Sequence, residues 1–480
     1  MALSHISRFV FWGSVGFICG VGILSFFAVS IDTVFFIVSI IAIGSIVIFF
    51  RQSWVWCFVF AFIMIAVGSF VMNNILINIH LLENNVNNTK NDVARVCDVT
   101  QKGWATQVKL QYKDGVIVII KDKKYTDLVQ GDIINLECHT VLPEVYNNFD
   151  YHKYLVMKGI DYVCDNFSYE IIRHEPTILN KIAQFRLQME SVVDNIIPAP
   201  EAGLANGLLF GGSDKLSKDL QDKFAKTGMT HIVAVSGYNV SIIIIVVMGF
   251  IIFLGASRKW AVLFSIVGII FFVALIGFPS SGVRAAIMGV LVLVAAVYGR
   301  ISNAYSAIFF TGAIMLVFNP LLLRYDIGFQ LSFLATLGIV SVYPVLEKFS
   351  NGSNKALGLV EILLLTISAQ LFVVPIILYH FKIFSFISLL ANVLILLIIP
   401  PTMLFVFIMI VANFVFHPLA LFFGWLAYFL LAYEIHVIEI LSRISWGTIT
   451  IDHINGLWFG LYYIVVGICI FLLNKYLYEI

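Results

Sequence analysis

Charge is what this sequence has least of. Only 12% of its 480 residues are Asp, Glu, Lys or Arg, and 60% are hydrophobic. A soluble domain is about 25% charged and roughly 45–50% apolar, so an ordinary soluble enzyme or binding module is excluded. The formal net charge is +1, which gives no global field for nucleic acid. Motifs for chemistry are missing too. No G-x-x-x-x-G-K-[ST] phosphate loop occurs, so any driving force is expected from outside the chain. The ten histidines include no H-E-x-x-H or H-x-H-x-D-H run, and no metal or cofactor is expected. Ser236 has Ala234 where a hydrolase elbow needs its first glycine. No catalytic constellation emerges, and the chain is not expected to be an enzyme.

Long uncharged stretches are what the sequence has. A helix crossing about 30 Å of hydrocarbon needs ~20 mostly apolar residues. Phe9–Ile31, Ile232–Gly255 and Leu457–Leu473 approach or exceed that length without a charge. The first run is too long for a signal-peptide core and lacks a small-residue cleavage site, so it reads as a retained span. Three spans are drawn at the N-terminus: Phe9–Ile31, Val34–Phe50 and Trp54–Leu76. Arg8 ahead of the first places the N-terminus in the cytoplasm by the positive-inside rule. An odd number of spans puts the next segment outside, although Arg51 then sits on the wrong side.

Residues 77–230 break the apolar pattern, with 17 Lys/Arg against 20 Asp/Glu. Val93–Thr100, Trp104–Tyr112, Val116–Lys121 and Asp132–Val141 are rich in β-branched residues, and Asp114-Gly115 is a hairpin signal. Four or five short strands suit a compact barrel; an OB-fold and a generic β-barrel fit the pattern equally. Cys97, Cys138 and Cys164 lie here. In an oxidising compartment two of them pair, and the strand-like runs favour Cys97 with Cys138. Next comes a helical linker in which Ser213 caps a helix carrying Leu216, Leu220 and Phe224 on one face, ended by Gly228. That helix lies on the membrane surface or packs on the insert.

From His231 the chain is apolar again, with Arg258-Lys259, Arg300 and Lys348 with Lys355 marking alternate connections. The fold class is thus a polytopic α-helical membrane protein of about 11–13 spans, some broken or re-entrant, with an inserted OB-fold-like extracytoplasmic β-barrel. The expected segments are N-terminal spans over 1–76, the barrel over 77–175, a linker over 176–228, a polar-lined membrane domain over 229–400 and C-terminal spans over 401–480.

Polar groups at membrane depth cost roughly 2.5–3.5 kcal/mol for a charge and therefore have partners or line a wet path. Four clusters stand out: His231, Ser236 and Asn239; Ser281 and Arg284; Asp326, Gln330 and Ser332; and Gln370 followed by Asn392. The spacing of Asp326 and Gln330 places them on one helical side. Arg284 and Asp326 are open to a second reading as snorkelling loop charges, and the amides and hydroxyls to one as helix–helix hydrogen bonds. Periodicity alone yields a transporter or channel without a substrate.

These clusters resemble the ComEC family of competence proteins. Gly228 to Val240 matches a G-x-x-H-[IL]-x-A-[VI]-S-G-x-[HN]-[VI] element, with Asn239 where many members have His. Ser281 to Ala285 matches S-x-x-R-A, and Asp326 to Phe333 matches D-x-G-F-Q-L-S-F. Asn319-Pro320, Gln370, Pro375 and Asn392 fit the same pattern. Phe149 to Leu155, then Lys158 to Ile160, looks like the signature ending the family's OB-like domain. The resemblance covers roughly residues 85–400. It implies an inner-membrane channel for single-stranded DNA in natural transformation, working with an extracytoplasmic DNA receptor and a cytoplasmic helicase-type motor. Many members continue into a metallo-β-lactamase-like domain; the present sequence shows none, so no nuclease activity is expected of it. On that reading Lys102, Trp104, Lys109, Tyr112, Lys121, Lys123, Lys124 and Tyr125 are candidates to stack bases and follow phosphates. The ten intramembrane polar residues are candidates to line the path, with Arg284 meeting phosphates or pairing with Asp326. The rival reading is a membrane enzyme or transporter acting on another envelope substrate.

Overall fold

The computed structural model describes residues 5–27, 29–49, 53–84, 86, 89–102, 105–122, 128–143, 150–175, 178–233, 237–298, 303–349, 358–444, 447–451 and 457–479. The chain opens with α1 (His5–Phe26), α2 (Ile31–Phe49) and α3 (Ser53–Asn84). Strands β1 (Thr89–Lys102), β2 (Ala105–Tyr112), β3 (Ile117–Asp122) and β4 (Asp132–Val141) come after them, then α4 (Tyr151–Met157) and β5 (Tyr162–His174). Four helices lead back to apolar sequence: α5 (Ile178–Ile196), α6 (Glu201–Phe210), α7 (Lys218–Lys226) and α8 (Thr230–Val233). Next are α9 (Gly237–Phe253), α10 (Arg258–Leu275), α11 (Ser280–Val297), α12 (Ala304–Phe318), α13 (Leu322–Tyr325) and α14 (Ile327–Phe349). The chain closes with α15 (Leu359–Phe381), β6 (Ile383–Ser385), α16 (Ser388–Ile395), α17 (Ile399–Val415), α18 (His417–Ser442), β7 (Thr448–Thr450) and α19 (Leu457–Glu479).

Two compact units result. One holds Met1–Gln184 with Phe309–Phe329, the other Phe185–Ile308 with Gln330–Ile480. Among the described residues seven helices are long and apolar enough to cross a membrane, or eight when the bent pair α16–α17 counts as one span. Four shorter apolar helices, including α12 and parts of α2, α9 and α19, fall below that length. The expected eleven to thirteen spans are reached only if these cross as well. The protein is therefore a multi-pass membrane protein whose first unit carries a closed barrel.

In the first unit α1 and α3 approach closely because small residues line the contact. A Cβ at Gly16 would stand 2.2 Å from Ala61 O, and one at Gly20 would stand 2.1 Å from Ile65 O. Gly16 and Gly20 are four apart, the small-residue spacing that lets helix backbones meet in lipid. Ser69 Oγ donates to Gly20 O at 3.2 Å across the same contact. α3 runs on to Asn84, where Leu82 O accepts from Tyr162 Oη of the barrel at 3.0 Å.

The barrel closes in the order β1-β2-β3-β5-β4, with β3 and β5 its parallel pair through Val118↔Tyr162 and Ile119↔Val163. Asp114-Gly115 makes the β2–β3 hairpin, with Gly115 at φ +91. Alternating residues Val96, Val108, Leu110, Val118, Ile120, Ile134 and Leu136 fill the interior, as a two-residue strand period requires.

Two expectations fail here for the same reason, strand parity. The disulfide is Cys138–Cys164, not Cys97–Cys138. Thr140 faces Cys164 across the β4–β5 ladder, and the Cys138 and Cys164 Cα atoms lie 5.7 Å apart. Cys138 points inward, whereas Cys97 follows the buried Val96 and points out, its Sγ within 3.8 Å of Gln111 Oε1. Tyr112 also faces inward. It is 2% exposed in the barrel core, so it offers no ring to a passing base. Burial, then the Asp92 and Asp114 carboxylates, push its phenol up to about 12.

A third correction concerns the linker helix. α7 is capped by Ser217, whose Oγ accepts from Leu220 N at 3.3 Å, rather than by Ser213. Leu220 and Phe224 are buried, and Lys223 Nζ pairs with Glu439 of α18 at 2.9 Å. The helix therefore packs on the membrane helices of its own unit.

Candidate functional site

The stretch from Gly228 to Val240 takes in α8 and the start of α9, and three partners meet it within the second unit. At its start Gly228, at φ +72, lies so close to α16 that a Cβ would stand 2.6 Å from Ser388 Cβ. Ser388 Oγ accepts from Gln370 Nε2 at 2.7 Å and donates to Ser385 O at 2.7 Å. His231 Nδ1 lies 3.1 Å from Gly228 O. The Gly228 turn thus packs directly on the Gln370–Ser388 pair. Asn392 sits one helical turn beyond Ser388, buried, with its Oδ1 lacking a bonded partner.

At the far end Asn239 is buried, and its Nδ2 donates to Leu208 O of α6 at 2.8 Å. A Cβ at Gly237 would stand 4.0 Å from Arg284 Nη2. Arg284 projects from α11, one turn past half-buried Ser281. Its Nη1 donates to Ser332 O and to Thr336 Oγ1 of α14, both at 2.6 Å. Its Nε is buried without a partner, and its guanidinium lies 5.8 Å from the Phe333 ring centroid. Among the described residues Arg284 belongs to no ion pair. Thr336 escaped the sequence reading because a lone threonine in an apolar helix carries no signal. Ser236 lies outside the described residues, and Gln330 is half-buried near the start of α14.

Asp326 does something other than the spacing argument implied. It is not helical; at φ −103, ψ 100 it ends α13, and its Oδ1 accepts from Phe329 N at 3.2 Å. Capping the first turn of α14 takes it off the helical face on which Gln330 sits. Asp326 belongs to a loop that docks on the barrel's helix within the first unit. Asn319 Nδ2 donates to Met157 O at 2.8 Å, at the end of α4. Burial, and then the Asp326 carboxylate, push the Tyr154 phenol up. On the other side Arg324 donates to Ser25 O and stands 5.6 Å from the Phe26 ring.

On the barrel itself the basic candidates divide. Trp104, Lys123, Lys124 and Tyr125 lie outside the described residues, and Lys102 is placed as the last residue of β1. Lys109 Nζ donates to Lys158 O at 2.9 Å. Exposed Lys121 stands 6.0 Å from the Tyr151 ring centroid, and Lys158 stands 5.7 Å from that of Tyr154. The two tyrosine rings stack at 5.9 Å and 19°. Asp150 holds α4 in place by accepting from Lys153 N at 3.0 Å. The result is a strip of two stacked aromatic faces flanked by cations, in the order Lys121, Tyr151, Tyr154 and Lys158. The two tyrosines, not Tyr112, are the half-buried rings beside lysines; both lie in the Phe149–Leu155 run, which the sequence marked only as a family signature.

Comparison with known proteins places the chain in a family. A Competence protein family profile matches residues 208–476, which is more than half of the chain and takes in the Gly228–Asn392 contacts. The chain is 30% identical over 250 residues to ComE operon protein 3 of Bacillus subtilis (strain 168), covering 51% of this chain and 31% of that protein. It is 32% identical over 158 residues to an uncharacterized protein of Aquifex aeolicus (strain VF5), covering 32% and 36% respectively. The chain thus spans about a third of the length of these relatives. No solved structure matches. With its profile match extending across both α11 and α18, this chain belongs to the Competence protein family.

Proposed function

We propose that the protein conducts single-stranded DNA across the bacterial inner membrane during natural transformation, without a catalytic role of its own. The observation that carries this reading is Arg284, a cation in a membrane-spanning helix with no ion-pair partner among the described residues. A lone guanidinium at that depth is costly unless it serves a wet, anionic path. A phosphate backbone is the anion whose spaced charges an unneutralised, hydrogen-bonding guanidinium suits. Family membership and the likeness to ComE operon protein 3 support a competence role.

The barrel is read as OB-type and extracytoplasmic, with the N-terminus in the cytoplasm. Its five closed strands fit that architecture. The Lys121–Tyr151–Tyr154–Lys158 strip supplies the stacking faces and phosphate-tracking charges that single strands need. An extracytoplasmic DNA receptor would deliver the strand to it, and a cytoplasmic helicase-type motor would draw it in.

The test uses Arg284→Gln, which keeps donors and removes charge. A charge-assisted hydrogen bond contributes about 1.5–3 kcal/mol, or roughly ten- to hundredfold in rate. Labelled DNA reaching the cytoplasm should fall by that factor, with the outer-compartment signal and the amount of inserted protein unchanged. Normal cytoplasmic accumulation in the variant would reject the reading.

A further inference from the structure

The second unit holds a buried acid that none of the four polar clusters includes. Glu434 lies in the middle of α18, inside an apolar run, and is 1% exposed. Its Oε1 lies 2.8 Å from Thr402 Oγ1 of α17, and its Oε2 is buried without any bonded partner. Thr402 Oγ1 also lies 2.8 Å from Ile398 O, one turn back on its own chain.

A hydroxyl carries one proton and two lone pairs. That single proton makes one full hydrogen bond or is shared as two weaker ones, so two full hydrogen bonds at this length need a second proton between the oxygens. The Thr402 proton goes to Ile398 O, the usual back-bond of a threonine in a helix. The second contact is then filled when a proton sits on Glu434 and its O–H donates to Thr402 Oγ1. An ionised carboxylate would instead accept at about four sites; here it would have one partner at most and no water-facing oxygen.

Among the described residues the helices packed on α18 offer Glu434 no counter-charge. α16 and α17 carry no titratable side chain. α6 carries Glu201 at its first residue, which would only repel a charge. From α7, Lys223 reaches α18 at Glu439 and holds an ion pair there with Glu439 and Asp219. Glu439 is five residues on, about 140° around the helix. His436, two residues on, lies about 200° around.

We propose that Glu434 is a proton-binding site within the membrane, held as a neutral carboxylic acid between α17 and α18 with Thr402 as its acceptor. The ligand is a single proton. The inference rests on these helices spanning the membrane and not on what the protein conducts. Release of the proton would leave a bare charge in an apolar helix pair, so the pair has two charge states that a proton gradient can act on.

The test compares the full chain and Glu434→Gln in lipid vesicles at neutral pH by infrared difference spectroscopy. The variant is neutral and nearly isosteric. The wild type is expected to show the C=O stretch of a protonated carboxylic acid, lost in the variant. A difference spectrum containing only carboxylate stretches overturns the proposal. Should the variant fail to insert, a hydrophobic carbodiimide decides on the wild type, since it adds across a protonated carboxyl in apolar surroundings. An adduct on the Glu434 peptide with the ion-paired Glu439 unmodified supports the site; an unmodified Glu434 overturns it.

Discussion

Breaking the Cys138–Cys164 bridge should loosen the barrel without touching the membrane helices. The two cysteines are 26 residues apart, and closing a loop of that size removes denatured-state entropy that contributes about 3.5 kcal/mol in the chain-entropy treatment. Domains are stable by only about 5–15 kcal/mol, so the loss is a large fraction. Cys138 and Cys164 are both buried in the barrel core, and each alanine leaves a small void that adds to the effect. The double variant Cys138→Ala/Cys164→Ala is therefore expected to become protease-sensitive between residues 89 and 174 at a clearly lower urea concentration, while α1–α3 remain protected by the bilayer. Maleimide labelling under denaturing, non-reducing conditions provides the independent check. Within the barrel Cys97 should label, with Cys138 and Cys164 labelling only after reduction. Labelling of Cys164 together with protection of Cys97 would refute the parity argument, and unchanged urea resistance in the double variant would refute the magnitude.

That bridge also shows where the sequence was legible and where it was not. Period-two hydrophobicity and the Asp114-Gly115 turn located four strands of the barrel, because both are local signals. Which cysteines pair is not local: β1 and β5 both flank β4, and only Cys138 and Cys164 share the barrel interior while Cys97 points out. The same division runs through the membrane. Motifs marked Arg284, Gln370 and Asn239 as polar where polarity is costly, yet their partners Thr336, Ser388 and Leu208 O are set by helix packing. Asp326 misled because a helical spacing was applied across a cap, where the backbone is extended and the carboxylate turns to Phe329 N. Glu434 stood in plain view in a mostly apolar helix. It went unremarked because it lies outside every motif the sequence offered and its partner Thr402 is on another helix.

Two remaining predictions concern single hydroxyls. Tyr112 keeps its proton to about 12 in the folded barrel against an ordinary value near 10. Between those values the folded state binds more protons than the unfolded one, so stability falls as pH rises, by up to about 2.7 kcal/mol across the window. Tyr112→Phe should abolish that alkaline loss in urea titrations taken either side of pH 11, and an unchanged slope would place the phenol in water. Tyr462 acts on a backbone defect. Pro375 inside α15 has no N–H for the carbonyl of Leu371, four residues back. Tyr462 Oη of α19 donates to that oxygen at 2.8 Å, and Tyr463 Oη does the same for Phe372 O. Tyr462→Phe leaves a carbonyl unpaired in a place without water, at a cost of about 1–3 kcal/mol. The loss should appear as a lowered thermal midpoint in detergent, and restoring a partner by Pro375→Ala in the same chain should recover most of it. If the double variant is no more stable than Tyr462→Phe alone, α19 is held by its ring contacts, Tyr463 with Phe372 and Phe459 with Tyr379, and the two hydroxyls are incidental.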